Sequence, residues 1–211
     1  MSGQNILQLP SGGNLTIAAA DSASNNVATF PANTGTVITT GSSGKVIPAA
    51  ALPAGCILQV VSATKTDTYG FAGAGTFSSI PGLSVTITPT SSTSKFLIIS
   101  NIMLGVAAGS ASAILQYVRN STVIDIGNAA GSRPQVSAGY YSGDTAGTAS
   151  FASISATYLD SPATGSTITY SIQGASSTST TVYVNRTVDD RNFTGYDPRG
   201  TSTITVMEIA A

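Results

Sequence analysis

Histidine and tryptophan are missing from this 211-residue chain, and cysteine and glutamate occur once each. Without histidine there is no Ser–His or Cys–His nucleophile pair, and the side chain most used for general acid–base catalysis is gone. A carboxylate pair of the kind that cleaves glycosides would have to be drawn from Glu208 and the aspartates, chiefly Asp144, Asp160, Asp189, Asp190 and Asp197. Glu208 falls in the last strand-like segment. Asp160, ahead of Ser161 and Pro162, reads as a turn former closing a strand. The sequence therefore predicts a protein that is not an enzyme and carries no cofactor.

The lone Cys56 excludes a disulfide framework and a thiolate metal site, and its apolar surroundings predict a buried, inert thiol. Zinc is disfavoured for the same reason. Asp189, Asp190, Asn192 and Asp197 could offer oxygens to calcium, but their spacing fits no defined loop. Arg186, Arg191 and Arg199 interleave with them, so an Arg–carboxylate network holding a loop or a subunit contact is expected instead. No phosphate loop occurs, since the glycines at 41–44 and 73–75 lack the residues that complete one.

Charge is scarce as well. Charged residues make up 8% of the chain, and the formal net charge is −1. Eight scattered Lys and Arg do not build the basic patch that a phosphate backbone requires, which argues against a nucleic-acid partner. A surface so poorly charged suits a protein covered by neighbours better than a lone monomer. The longest apolar run, residues 96–108, is broken by Ser100, Asn101 and Gly105 and is too short for a bilayer. The opening residues, Met1-Ser-Gly-Gln-Asn, have neither a basic nor an apolar stretch. They predict a soluble protein made in a cytoplasm, with no membrane partner.

What is present is apolar and hydroxylated: 42% hydrophobic residues and 22 Gly, with Ser and Thr in place of charge. Residues 1–53 are short strand-like pieces, at 15–17, 27–30 and 36–39, separated by Gly, Asn and Pro turns. Pieces this small cannot stand alone, so an extended N-terminal arm is expected, laid on its own body or on a neighbour. Residues 54–211 hold longer pieces. Leu83, Val85 and Ile87 alternate with hydroxyls, and residues 95–100 form a continuous apolar run, as expected of a central strand covered on both faces. Segments 57–61, 113–119, 122–126, 151–158, 167–172, 180–184 and 202–207 complete a set of nine, with Asn120-Ser121 as a hairpin turn and no helix. The prediction is an all-β, antiparallel β-sandwich of jelly-roll type behind the arm.

Two long polar connections, 127–150 and 188–200, are candidates for contacts. In the first, Tyr140 and Tyr141 beside Gly139 read as loop aromatics. In the second, Asp189, Asp190, Arg191, Tyr196 and Arg199 are the candidate interaction residues. Tyr117, Tyr158, Tyr170 and Tyr183 fall in strands and are expected to pack in the sheets.

Several segments carry a likeness: Phe30-Pro-Ala-Asn-Thr-Gly-Thr-Val-Ile-Thr-Thr40, the run of residues 55–67, Ile80-Pro-Gly-Leu-Ser-Val-Thr-Ile-Thr-Pro89, Val118-Arg-Asn-Ser-Thr-Val-Ile124, Tyr158-Leu-Asp-Ser-Pro-Ala163 and the terminal 202–211. Together they resemble virion surface proteins of aquatic tailed phages, the tail-fibre-like, capsid-decoration and head-fibre group. The resemblance implies a virion component, usually a homotrimer with β-sandwich heads, on the virion surface and partnered by the major capsid or another virion protein. A host-adsorbing fibre normally has a long shaft, and this chain has neither heptads nor shaft repeats. Its size suits a short capsid decoration (cement) or head-fibre protein attached through the arm. The alternative implied is a tail-fibre-type receptor binder whose long loops touch a host surface receptor, a glycan or a protein.

Overall fold

The computed structural model describes residues 5–8, 14–17, 52–107, 111–143 and 150–211. The chain divides into two units, 1–46 and 47–211. In the first, β1 (Asn5–Gln8) and β2 (Asn14–Ile17) pair antiparallel, Asn5 opposite Ile17 and Gln8 opposite Asn14. The expected strand at 15–17 is thus part of β2. The pieces at 27–30 and 36–39, and the extended course expected for residues 1–53, lie outside the described residues.

Among its described residues the second unit holds eleven strands: β3 (Ile57–Lys65), β4 (Tyr69–Phe71), β5 (Ser78–Ile87), β6 (Lys95–Val106), β7 (Ser112–Arg119), β8 (Thr122–Ile124), β9 (Ala138–Tyr141), β10 (Ala152–Asp160), β11 (Ile168–Ser176), β12 (Val182–Val184) and β13 (Ser202–Ile209). All nine expected segments are among them, and every pairing is antiparallel. Three positions are interrupted strands. Along one edge of β6, β13 pairs with residues 95–101 and β12 with residues 104–106, and β3 and β4 follow them on the far side. Along one edge of β7, β9 and β8 lie in tandem.

Counting each tandem as one gives eight positions in chain order. Sheet one reads six, three, eight, one (β10, β6, β13/β12, β3/β4), and sheet two reads two, seven, four, five (β5, β11, β7, β8/β9). Only the step from four to five stays within a sheet, and it is made by the two-residue Asn120-Ser121 turn, with Asn120 at φ +56°. That strand order is a jelly roll. The chain is therefore an antiparallel β-sandwich in its second unit.

The two inner faces make the core. Leu83 and Ile87 from sheet two, and Phe96, Ile98, Ile102, Leu104, Ile204 and Val206 from sheet one, are essentially fully buried. Each such side chain contributes about 2 kcal/mol through the water it sheds. Two polar groups are carried into this core with their partners. Arg119 grips Asp160 with bonds of 2.7 and 2.9 Å, and the Tyr170 hydroxyl donates to the same carboxylate at 2.7 Å. Asp160 is the last residue of β10, where the expected turn begins, and its carboxylate is a buried anchor there. Burial and the hydrogen bond to Asp160 both push the Tyr170 hydroxyl above its ordinary pKa. In the same row of sheet one, where Asp160 and Glu208 both pair with Phe96, the fully buried Glu208 accepts from Gln59 Nε2 (2.5 Å), Thr90 N (2.7 Å) and Thr90 Oγ1 (2.6 Å).

Two expectations fail here. Residues 95–100 do lie in a central strand, but β6 alternates: Phe96, Ile98 and Ser100 are buried while Leu97 is half-buried and Ile99 is 37% exposed. The sheet packs against its partner by one face only, so every second residue of the run looks outward. Cys56 is half-buried rather than buried, because it precedes β3 at the margin of the sheet, where its carbonyl accepts from Ala210 N.

Candidate functional site

The connection from β12 to β13 forms a knuckle cross-linked along its length. At its root Asn185 is fully buried at φ +62°. It fills the gap between the tandem strands: Nδ2 donates to the carbonyls of Lys65 (2.8 Å) and Asp67 (2.9 Å), and Oδ1 accepts from Ser202 Oγ (2.6 Å). Ser202 Oγ in turn accepts from Met103 N, and Asn185 N donates to Met103 O. One side chain thereby replaces the ladder bonds lost where four strands break. An Arg186–Arg199 bridge closes the neck. Gly105 lies directly beneath it, where a Cβ would sit 2.2 Å from the Arg186 carbonyl oxygen, so only glycine fits.

Beyond the neck the expected Arg–carboxylate network is present. Arg199 and Arg186 both reach Asp190, at 2.6 and 3.4 Å, and Arg191 reaches Asp197 at 2.8 Å and Asp189 at 3.6 Å. The Asp197 carboxylate is fully screened from solvent and also accepts from buried Thr187 Oγ1 at 2.6 Å. The Thr187 hydrogen bond holds the Asp197 carboxyl below the usual carboxylate range, against some desolvation and with help from Arg191. Arg186 also stacks over the Tyr183 ring, 3.7 Å from its centroid. Among the candidate residues, Asp189, Asp190, Arg191, Tyr196 and Arg199 are therefore gathered in one loop.

On top of this scaffold Phe193 and Tyr196 stack, centroids 5.5 Å apart and planes 14° from parallel, and both rings remain more than half exposed. Gly195 permits the stack, since a Cβ there would press on the Phe193 ring at 2.9 Å. Phe193 was not among the residues singled out from sequence, although its spacing of three from Tyr196 across Gly195 was available as a signal.

Tyr140 and Tyr141 are placed differently from expectation. They lie in β9, paired with Ala113 and Ser112 on the edge of sheet two, not in a loop, and are not part of the knuckle, which joins strands of sheet one. Tyr140 packs half-buried against the core, and only Tyr141 faces solvent. The reason is Gly139, which sits opposite Ile114 where a Cβ would meet the Ala113 carbonyl oxygen at 3.4 Å. It is a glycine within the strand, not at a turn.

A second surface had no counterpart in the sequence reading. On the outer face of sheet one the pairing register lines up Leu159, Leu97, Met207 and Val60 in one row across four strands. Ile99 lies one row away, and Ile209 and Ile57 one row to the other side. Val60, Ile57 and Leu159 are each about half exposed. The rows further along β6 carry hydroxyls and amides, with Ser62 bonded to Thr205 and Ser153 to Asn101. Lys95 is the one ionisable side chain in the four rows from Lys95 to Asn101.

On sheet two an open groove of about 610 Å³, lined by Phe77, Ile114, Val123, Ile126 and Pro134, also lacks charge. Among the described residues no three His, Cys, Asp or Glu side chains come together as a metal site, and no helix is long and apolar enough to cross a membrane. No protein-family model matches the chain, and no curated protein matches it.

Proposed function

We infer that this protein is a non-catalytic structural component of a virus particle, a small capsid decoration or short head fibre that works as a homotrimer and attaches through its N-terminal segment. The observation that carries the reading is the outer face of sheet one. A row of four large apolar side chains, flanked by Ile57, Ile99 and Ile209 and nearly free of charge, costs free energy while it faces water. Interface cores have this composition, depleted in charge and enriched in large apolar groups. Four strands at ~4.8 Å and nine residues at ~3.3 Å give roughly 600 Å² of face, comparable with the ~800 Å² per partner of a standard interface. The ionisable groups point the same way. Among the described residues, Lys65, Arg119, Arg186, Arg191 and Arg199 are all held in internal ion pairs. Jelly rolls serve many functions, so the fold supports the reading only alongside this face and the sequence resemblance.

The test is reconstitution on particles lacking the protein. The full chain is expected to decorate them to saturation, while a 54–211 fragment that keeps a cooperative β-sheet thermal transition does not bind. Full occupancy by the fragment would remove the attachment role of residues 1–53.

A second reading, a receptor-binding module, is favoured by one separate observation: the exposed Phe193–Tyr196 stack at the far end of sheet one from the apolar row.

A further inference from the structure

We propose that the knuckle between β12 and β13 is a binding site for a neutral saccharide, with the Phe193–Tyr196 stack as platform and the surrounding Arg, Asp and Asn groups as hydrogen-bonding rim. The proposal rests on the receptor-binding reading and is independent of the assembly reading.

Two large rings held open to water form the first part of the argument. A surface aromatic usually lies down against its own protein, yet Phe193 and Tyr196 are 55% and 64% exposed and are packed chiefly on each other. Their loop is preorganised. Asp190 is held at φ +52°, Phe193 N donates to Arg191 O at 2.8 Å, and four Arg–Asp contacts and the Thr187–Asp197 bond lock the turns below. A rigid aromatic platform loses little entropy when a ligand settles on it.

The rim supplies the second part. Beside Phe193 is a depression of about 290 Å³ whose wall includes Asp190, Arg191, Asn192 and Arg199. Arg191 reaches Asp197 through Nε, Arg199 reaches Asp190 through Nη2, and both guanidiniums are about half exposed, so planar donor forks still face the solvent. Adjacent sugar hydroxyls match such planar, paired groups, and the apolar C–H face of a pyranose matches a ring.

Charge decides between ligand classes. Arg186, Arg191 and Arg199 balance Asp189, Asp190 and Asp197 in number, so the knuckle carries no net charge to select an anionic or a cationic partner. The depression is small for a buried peptide anchor and sits at the low end of small-ligand sites, the size for one or two sugar rings.

The experiment is saturation-transfer NMR of the full chain against neutral gluco-, galacto- and manno-oligosaccharides, with sialylated and sulfated glycans as charged controls. Transfer to at least one neutral saccharide is expected, with isothermal titration showing affinity lowered by at least about tenfold in Phe193→Ala and in Tyr196→Ala. Phe193→Tyr, which keeps the ring, and Tyr141→Ala, on the other sheet, should bind as the parent does. Thermal midpoints within about 2 °C of the parent would show that the exposed-ring variants fold. Binding only to charged glycans, binding to none, or neutral binding indifferent to both ring removals would each overturn the proposal. So would capture of a protein partner that is lost in Phe193→Ala while no saccharide binds.

Discussion

The two ends of sheet one are built from the same strands and could hardly differ more. Near Leu97 the outward side chains are apolar and free of ion pairs. Beyond Gly105 the same sheet carries a loop whose charges are all answered by neighbours. At the first end the protein leaves large apolar side chains facing water, which is the face that the proposed assembly would cover. At the second it invests a fully buried Asn, a buried Thr and an Arg–Asp lattice in holding two rings up to solvent. The comparison separates a face suited to assembly from a tip suited to contact, with β6 as the rod between them.

The largest expected effect breaks the rod at its joint. Asn185→Ala removes three buried hydrogen bonds and the residue type that tolerates positive φ, and should cost roughly 3–4 kcal/mol, a fall of about 10 °C in the thermal midpoint. Calorimetry checks it; a loss under about 1 kcal/mol would mean that the tandem strands do not depend on this side chain. Gly105→Ala should be comparable in size but local, displacing the neck at Arg186 and Thr187, and hydrogen exchange confined to residues 186–199 would report it.

Next comes acid. Desolvation alone would raise Glu208, but the hydrogen bonds it accepts from Thr90 and Gln59 outweigh it, so its carboxyl titrates below its ordinary value of 4.5. A depressed folded-state pKa gives stability that is present above the unfolded value and is lost as pH falls through the folded one. Glu208→Gln should therefore cost about 1–2 kcal/mol at pH near 7, with the gap from the parent closing in acid below the carboxylate range. Denaturant midpoints at the two pH values measure it, and a gap that widens in acid would reverse the sign argued here.

The smallest effect lies at the tip. Arg191→Ala removes a pair from a half-exposed guanidinium and should change global stability by less than about 1 kcal/mol, while exchange of the loop amides near Asp197 accelerates. A large global loss would mean that the knuckle props up the sandwich instead of riding on it.

Periodicity made much of this legible. The segment 83–88 alternated and became the clean half of β5, and the turn at Asn120-Ser121 was readable from its composition. The interleaving of Arg186, Arg191 and Arg199 with aspartates foretold the network. What escaped were β1, at Asn5–Gln8, and β4 and β9, Tyr69-Gly-Phe71 and Ala138-Gly-Tyr-Tyr141, the last two because their glycines read as punctuation. In the fold Gly70 lies under the Tyr183 ring, where little more than glycine fits, and Gly139 is a paired strand residue opposite Ile114. The outer apolar row was hidden for another reason. Leu159, Leu97, Met207 and Val60 lie far apart in the chain, between positions 60 and 207, and meet only through register, which no local window contains. The pairing of β3 with β13, at opposite ends of the second unit, is invisible in the same way, and the jelly-roll order depends on it.

Sedimentation equilibrium of four proteins tests the division of labour most directly: the parent, Val60→Lys with Leu159→Lys, Phe193→Ala with Tyr196→Ala, and all four changes together. Lysines in the apolar row should convert a trimer to a monomer without loss of the folded β signal, while removal of the rings should leave the trimer mass unchanged. A monomeric parent, or a trimer that survives both lysines, would contradict the assembly role given to the outer face of sheet one.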